Sequence, residues 1–338
     1  MLRRTVLFIL GATLSVALLA ASQAQAQSAK PKVKLGFAKC AHCLSMAMVP
    51  QLTDKVDIDA INFNSGNDVL TALVSKSIDI AQVTYLHYVT ALDKGFDVVA
   101  ISGQVNGGSE VMLSNSINLA ENDWAGLKKL IAEYKAQGKP FRIAASRGNA
   151  QDIHMRGELM LKGIDPNKDV QFINIPNPSD HAAALQRGEI ELICTVEPFA
   201  SQIRATKVGK RFALPYDQAA GNLTNLIVTR SDVIKNQPAE VRETVAAVVK
   251  LVDKLKADKS GWVDSIVKYT GLDKTIANEA LKNAFPDYMM HLKSTQAIAA
   301  MMKDLKYISR DVSAEVEKNM DYTFLSEVTK KPKAQLGY

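Results

Sequence analysis

Short apolar runs alternate along the first two thirds of the chain with segments whose apolar positions recur every three or four residues. The runs are at 33–37, 58–63, 78–83, 98–103, 111–114, 141–145, 170–175, 191–196, 212–215 and 223–229. Their shortness and their content of Val, Ile and Phe predict strands, and the segments between them, such as 68–75, 124–137, 150–162 and 180–187, predict helices. Gly138, Gly163 and Gly188 follow three of these helical segments, where a residue tolerant of left-handed backbone ends a helix. This order is that of βα units around mostly parallel sheets, an α/β fold. Beyond about residue 232 the strand pattern stops. Val241, Val245, Val248, Val252 and Leu255 then form one apolar helical face, and 262–269, 275–284, 294–305 and 312–320 predict further helices packed outside the sheets. The tail 330–338, with Lys330, Lys331 and Lys333 around Pro332, reads as a frayed, solvated end.

The first residues break this pattern. Leu2-Arg3-Arg4 precede an apolar stretch at 5–21 and a small-x-small site ending at Ala26, the layout of an export signal peptide cleaved after residue 26. No later stretch has the ~18–20 continuous apolar residues of a membrane span, so a soluble exported protein is expected. No cysteine stands at the processing site, so no lipid tether is expected.

Composition narrows the function classes. With 338 residues, 47% of them hydrophobic, the chain is long enough for about two cores and too apolar for a disordered protein. The formal charge of +6 drops to +4 without Arg3 and Arg4, and no Lys/Arg run is interleaved with aromatics, which argues against a nucleic-acid groove. The five histidines (His42, His87, His154, His181 and His291) form no H-E-x-x-H element, and neither a G-x-S-x-G elbow nor a phosphate-binding P-loop is present. No catalytic residue and no cofactor is therefore expected.

The stretches Phe63-Asn64-Ser65-Gly66, Asp79-Ile80-Ala81 and Ala91-Leu92-Asp93-Lys94-Gly95 are followed by Lys139-Pro140-Phe141-Arg142-Ile143-Ala144, Ser146-Arg147-Gly148, Leu161-Lys162-Gly163-Ile164-Asp165-Pro166, Gly188-Glu189-Ile190 and Glu197-Pro198. In order and spacing this set resembles the periplasmic solute-binding proteins of the sulfonate, taurine, nitrate and thiamine-precursor ABC importers. The resemblance covers roughly 31–232 well; Ser77 stands where that family usually has Gly, and the linker 121–138 is longer than usual. It implies a type II periplasmic binding protein fold, with two α/β lobes joined by two hinge crossings and a cleft between them. Residues 27–115 and 216–338 would form lobe 1 and 116–215 lobe 2. The strand near 111–114 would cross into lobe 2 and that near 223–229 would cross back. Implied too are a monomer in the periplasm, capture of a small organic anion of sulfonate or carboxylate type by lobe closure, and delivery to an ABC permease in the inner membrane. A pyrimidine-type thiamine precursor is the alternative ligand within the same resemblance.

Ligands of open α/β sheets sit beyond the carboxyl ends of the strands, which selects the candidate residues. Lys39, Cys40 and His42 follow the first strand, Asn64, Ser65 and Asn67 the second, Thr84 and Tyr85 the third. Each has a plain structural use as well: a solvated lysine, a helix cap, an aromatic packed between helix and sheet. Arg147 and Asn149, around Gly148 and ahead of a helix, offer a guanidinium fork and free N–H groups to an anion. Thr195 and Glu197 end another strand; Glu197 either accepts a hydrogen bond from a ligand or favours the helix that Pro198 starts.

Three cysteines remain. Cys40-x-x-Cys43 in an exported protein reads most simply as a local disulfide. Haem attachment would need His where Leu44 stands. Should Cys194 meet Cys40, Cys43 and His42 across a cleft, the set would suit a soft metal or a thiol-dependent function instead.

Overall fold

The structure, a computed structural model, describes residues 30–338. The export signal expected over 1–26 lies outside the described residues. The strands β1 (Lys32–Ala38), β2 (Asp57–Phe63), β3 (Ile80–Thr84) and β4 (Val99–Gly107) enter one sheet. The next five, β5 (Ser109–Ser114), β6 (Arg142–Ala145), β7 (Gln171–Asn174), β8 (Leu192–Val196) and β9 (Gly209–Ala213), make a second, and β10 (Asn225–Thr229) and β11 (Ala284–Asp287) return to the first. Strand orders are β11-β4-β10-β3-β1-β2 and β7-β6-β8-β5-β9. The helices are α1 (Ala41–Leu44), α2 (Gly66–Val74), α3 (Tyr85–Asp93), α4 (Trp124–Ala136), α5 (Ala150–Leu161), α6 (His181–Gln186), α7 (Phe199–Ala205), α8 (Ser231–Asn236), α9 (Pro238–Ala257), α10 (Ser260–Thr270), α11 (Lys274–Ala280), α12 (Leu292–Asp304), α13 (Ser313–Lys318) and α14 (Thr323–Thr329). None is long and apolar enough to cross a membrane among the described residues.

Strands β1, β2 and β3 are parallel, as are β6, β7 and β8, and helices cover them, which is why β3 and β8 are buried at every position. The sheets are mixed but most strands in each run one way: β10 and β11 oppose the other four in the first, and β5 opposes the other four in the second. Strands β5 and β10 stand beside the passages between sheets. The chain leaves β4 through Gly107 and Gly108, both at positive φ (90° and 86°), and continues directly into β5 with no crossover helix to restore a parallel direction. Thus β5 pairs in the second sheet although it falls within 27–115. The return runs over 214–224.

The predicted apolar face of α9 is buried in full, with Val241, Val245, Val248, Val252 and Leu255 packed under the first sheet. Gly138, Gly163 and Gly188 take positive φ at helix ends. The segment 275–284 is α-helical to Ala280, continues as a 3-10 turn over Leu281–Asn283 and only then enters β11, a short edge strand whose Pro286 needs no ladder donor. One expectation is overturned. The tail is docked: Leu336 is buried, its carbonyl accepts from Met290 N–H (2.9 Å), and the Tyr338 ring stands edge-on to Tyr322.

Candidate functional site

Segments following β1, β2, β3 and β6, with the end of β8, line a cavity of about 40 Å³. The local reason is helix capping. Ser65 accepts the Asp68 N–H (3.3 Å) to start α2, and Thr84 accepts the His87 N–H (3.3 Å) to start α3, so both helices begin where their strands end. Helix α5 opens at Asn149 from the other sheet, with no side-chain cap. Three helix N-termini thus meet at one space, and partial positive charge gathers there.

Lys39, Cys40, His42, Asn64, Ser65, Thr84 and Asn149 all line this cavity. So do Gln82, Ser109, Gln151 and Thr224, which the strand-end rule passes over. Gln82 and Gln151 are buried polar residues, and Gln82 Oε1 finds no hydrogen-bond partner among the described residues. Their signal in the sequence is a carboxamide inside the apolar strand 78–83 and another in the first turn of a helix. Among the described residues the cavity lining holds no carboxylate, and Lys39 is its one charged group. A second pocket of about 180 Å³ shares Lys39, Asn64 and Pro178 with it and adds Asn177, Ser179 and Phe199.

The other candidates lie elsewhere. Arg147 is exposed and lines a separate groove with Asn67, whose Oδ1 sits 3.0 Å from His87 Nε2. Tyr85 is buried in the core of the first sheet, because α3 turns it inward. Thr195 points to the far side of β8, where its hydroxyl meets His181 Nδ1 at 2.7 Å. Glu197 also turns away: its carboxylate accepts from Ser201 N–H (2.9 Å), the Ser201 hydroxyl (3.0 Å) and Arg204 (3.1 Å), at the start of α7. Arg204 and Arg211 also hold the fully buried Glu110. Burial, and then the Glu110 charge, push the Glu197 carboxyl up to about 6. Only the backbone carbonyl of Glu197 faces the site, accepting from Ala41 N–H at 2.7 Å.

Cys40 and Cys43 are joined by a disulfide in the cavity wall, and His42 Nε2 lies 3.2 Å from Cys40 Sγ. Cys194 does not join them. It is buried in the core of the second sheet beside Met155 and Leu159, and burial pushes its thiol well up. Burial also lowers the imidazoles, His42 to about 3 and His87, His154 and His181 to about 4 each, so all four are neutral.

Several contacts tie the two sheets together around the cavity. His154 on α5 reaches Ser109 Oγ (2.8 Å) and the Leu223 carbonyl (3.0 Å), one on each passage between the sheets. The Tyr216 hydroxyl donates to Asn283 Oδ1 (2.8 Å), and that of Tyr307 to Asp152. These contacts hold the two sheets against one another around the cavity.

Known proteins share this fold. A family model described as the NMT1-like family matches residues 26–267. The nitrate/nitrite binding protein NrtA of Synechococcus elongatus is 26% identical over 149 residues, 44% of this chain and 33% of that protein. The match therefore spans about a third of that relative's length. Among solved structures, the periplasmic nitrate-binding protein NrtA from Synechocystis superimposes with a TM-score of 0.77 at 18% identity, covering 91% of each chain. The alkanesulfonate-binding protein SsuA from Xanthomonas axonopodis pv. citri, bound to MOPS, gives 0.69 at 16% identity, covering 86% of this chain and 99% of that one. These likenesses show the periplasmic binding protein fold.

Proposed function

Since the chain belongs to the NMT1-like family, we propose that it is the extracytoplasmic substrate-binding component of an ABC importer, capturing a small anion between its two sheets and delivering it to a membrane permease. The observation that carries this reading is the cavity itself. It lies between the sheets, is free of carboxylates among the described residues, is faced by three helix N-termini, and is lined by the buried carboxamides of Gln82 and Gln151, of which Gln82 Oε1 has no partner among the described residues. Such groups would lose hydrogen bonds on burial unless a ligand restored them.

Size limits the ligand. About 40 Å³ holds roughly three waters, enough for an oxoanion or the head of a sulfonate or carboxylate. The adjoining pocket past Lys39 and Pro178 offers space for a short organic tail. The relatives named for nitrate and for an alkanesulfonate support that range. The ligand-binding residues on this reading are Lys39, His42, Asn64, Ser65, Thr84 and Asn149, with Gln82, Ser109 and Gln151 added. The passages at 107–109 and 214–224 act as hinges between two lobes that rock about the ligand. The protein works as a monomer in the periplasm and turns over no substrate.

Thermal-shift screening of the mature chain with nitrate, bicarbonate, short alkanesulfonates and short carboxylates tests this. A ligand at 100 times its dissociation constant adds about 2.7 kcal/mol, a rise of several degrees. If none of these anions raises the melting temperature at millimolar concentration, anion capture is refuted.

A further inference from the structure

The turn Cys40–Cys43 brings two sulfurs and one imidazole together at the cavity wall. One donor atom from each of Cys40, His42 and Cys43 lies within 4.8 Å of the others, and all three residues are buried. The imidazole is uncommitted: Nδ1 is buried with no partner among the described residues, and Nε2 faces the Cys40 sulfur at 3.2 Å. Metal–sulfur and metal–nitrogen bonds of about 2.3 and 2.0 Å place tetrahedral donors roughly 3.5–3.8 Å apart. The imidazole and Cys40 already stand near that spacing; the two sulfurs reach it once their bond opens.

We propose that Cys40, His42 and Cys43 form a redox-gated site for a d¹⁰ metal ion of the zinc or copper(I) class, with one coordination position open to the cavity. In the oxidised state the sulfurs bond to each other and the site is shut. An external dithiol supplies two electrons and two protons, opening the S–S bond to two thiols and itself closing to a disulfide. Metal binding then displaces both thiol protons. Two sulfurs and one nitrogen match the preference of such ions, and three protein donors leave a fourth position vacant. Because all three residues line the cavity, the vacancy faces it.

The turn does not depend on the disulfide for its shape. Trp262 Nε1–H donates to the Ala41 carbonyl (2.6 Å), Gln104 Nε2–H to the His42 carbonyl (3.1 Å), and Leu44 N–H to the Cys40 carbonyl (2.9 Å). Gly108 leaves the imidazole its place, since a Cβ there would overlap His42 Nδ1. Reduction therefore frees the thiols while the backbone that presents them stays anchored. The inference rests on this turn and stands independently of anion capture.

The test uses the mature chain, reduced with a phosphine, desalted without oxygen and titrated with Co²⁺ as a spectroscopic probe. One Co²⁺ per chain, with a thiolate-to-cobalt charge-transfer band, is expected for the reduced protein and none for the oxidised. Cys40→Ser and Cys43→Ser should each weaken binding at least 100-fold and His42→Ala at least 10-fold, with Cys194→Ala without effect. Azide should shift the cobalt spectrum by taking the open position. Circular dichroism follows the fold throughout, and X-ray absorption on zinc-loaded wild type reads the donors without any variant. Equal binding by oxidised protein, loss of binding in Cys194→Ala, an all-oxygen donor set, an azide-insensitive spectrum, or loss of fold on reduction would each overturn the proposal.

Discussion

The Tyr307 hydroxyl, in the loop after α12, donates to the buried carboxylate of Asp152 in the first turn of α5, bridging the cores of the two sheets beside the cavity. Asp152 also accepts from Arg156 Nε (2.9 Å) and Gly148 N–H (3.1 Å), so it remains satisfied if the tyrosine is lost. Tyr307→Phe should then cost about 1.5–3 kcal/mol in urea unfolding, the range for a hydrogen bond to a charged group. Since the bond spans the cleft, the same change should speed ligand release severalfold in stopped-flow displacement. Unchanged release with reduced stability would show that the contact only holds the fold.

Gln82 supplies a sharper test of the cavity. Its side chain is buried and its Oε1 has no partner among the described residues, so removing that oxygen leaves nothing newly unpaired. Gln82→Leu should leave the stability of the unliganded chain equal or higher. It should raise the dissociation constant of the stabilising anion at least tenfold, about 1.4 kcal/mol by calorimetry. Unaltered affinity would place the ligand elsewhere.

Glu110 and Glu197 lead to the opposite expectation. Both are buried in one network with Arg204 and Arg211, away from the cavity. Glu110→Ala strips the arginines of their partner and should destabilise by about 3 kcal/mol or more. Glu197→Gln should lower stability yet leave ligand affinity within about twofold, because its side chain serves α7. A tenfold loss of affinity in Glu197→Gln would return this residue to the binding site.

Acid should weaken the fold through the four buried histidines. In the unfolded chain each imidazole titrates near about 6.5, whereas in the folded protein His42 is held at about 3 and His87, His154 and His181 at about 4. The folded state binds fewer protons over that interval, so stability is full above about pH 6.5 and falls as pH drops, each histidine costing about 2 kcal/mol by pH 5. Glu197 works the other way. Its folded carboxyl, raised to about 6, takes up a proton before the unfolded one does, which offsets a part of the loss between about 6 and its ordinary value of 4.5. Urea unfolding at pH 7, 6 and 5 reads the balance, and a flat midpoint over that range would contradict it.

Much of this architecture is legible in the residue pattern. The apolar face from Val241 to Leu255 is buried as its spacing requires, and Gly138, Gly163 and Gly188 end helices where expected. Ser65 was readable as a helix cap that can also face a ligand, and Thr84, read only as a hydroxyl for a ligand, turns out to cap α3 as well, since one oxygen at a strand end serves both uses. Less legible was β11, where four residues including Pro286 become a strand only because the edge of β4 is available.

By itself the sequence determined the α/β class, the order of its units and the loops from which a cavity is built, because these follow from local periodicity and capping. Tertiary structure alone decided which side chains at those loops face the cavity. Thr195 turns to His181 and Glu197 to Arg204, both through partners on other elements, while Gln82 and Gln151 are left facing inward. Side-chain direction at a strand end is set by whichever distant group offers the better hydrogen bond, and such pairings appear only once the chain has folded.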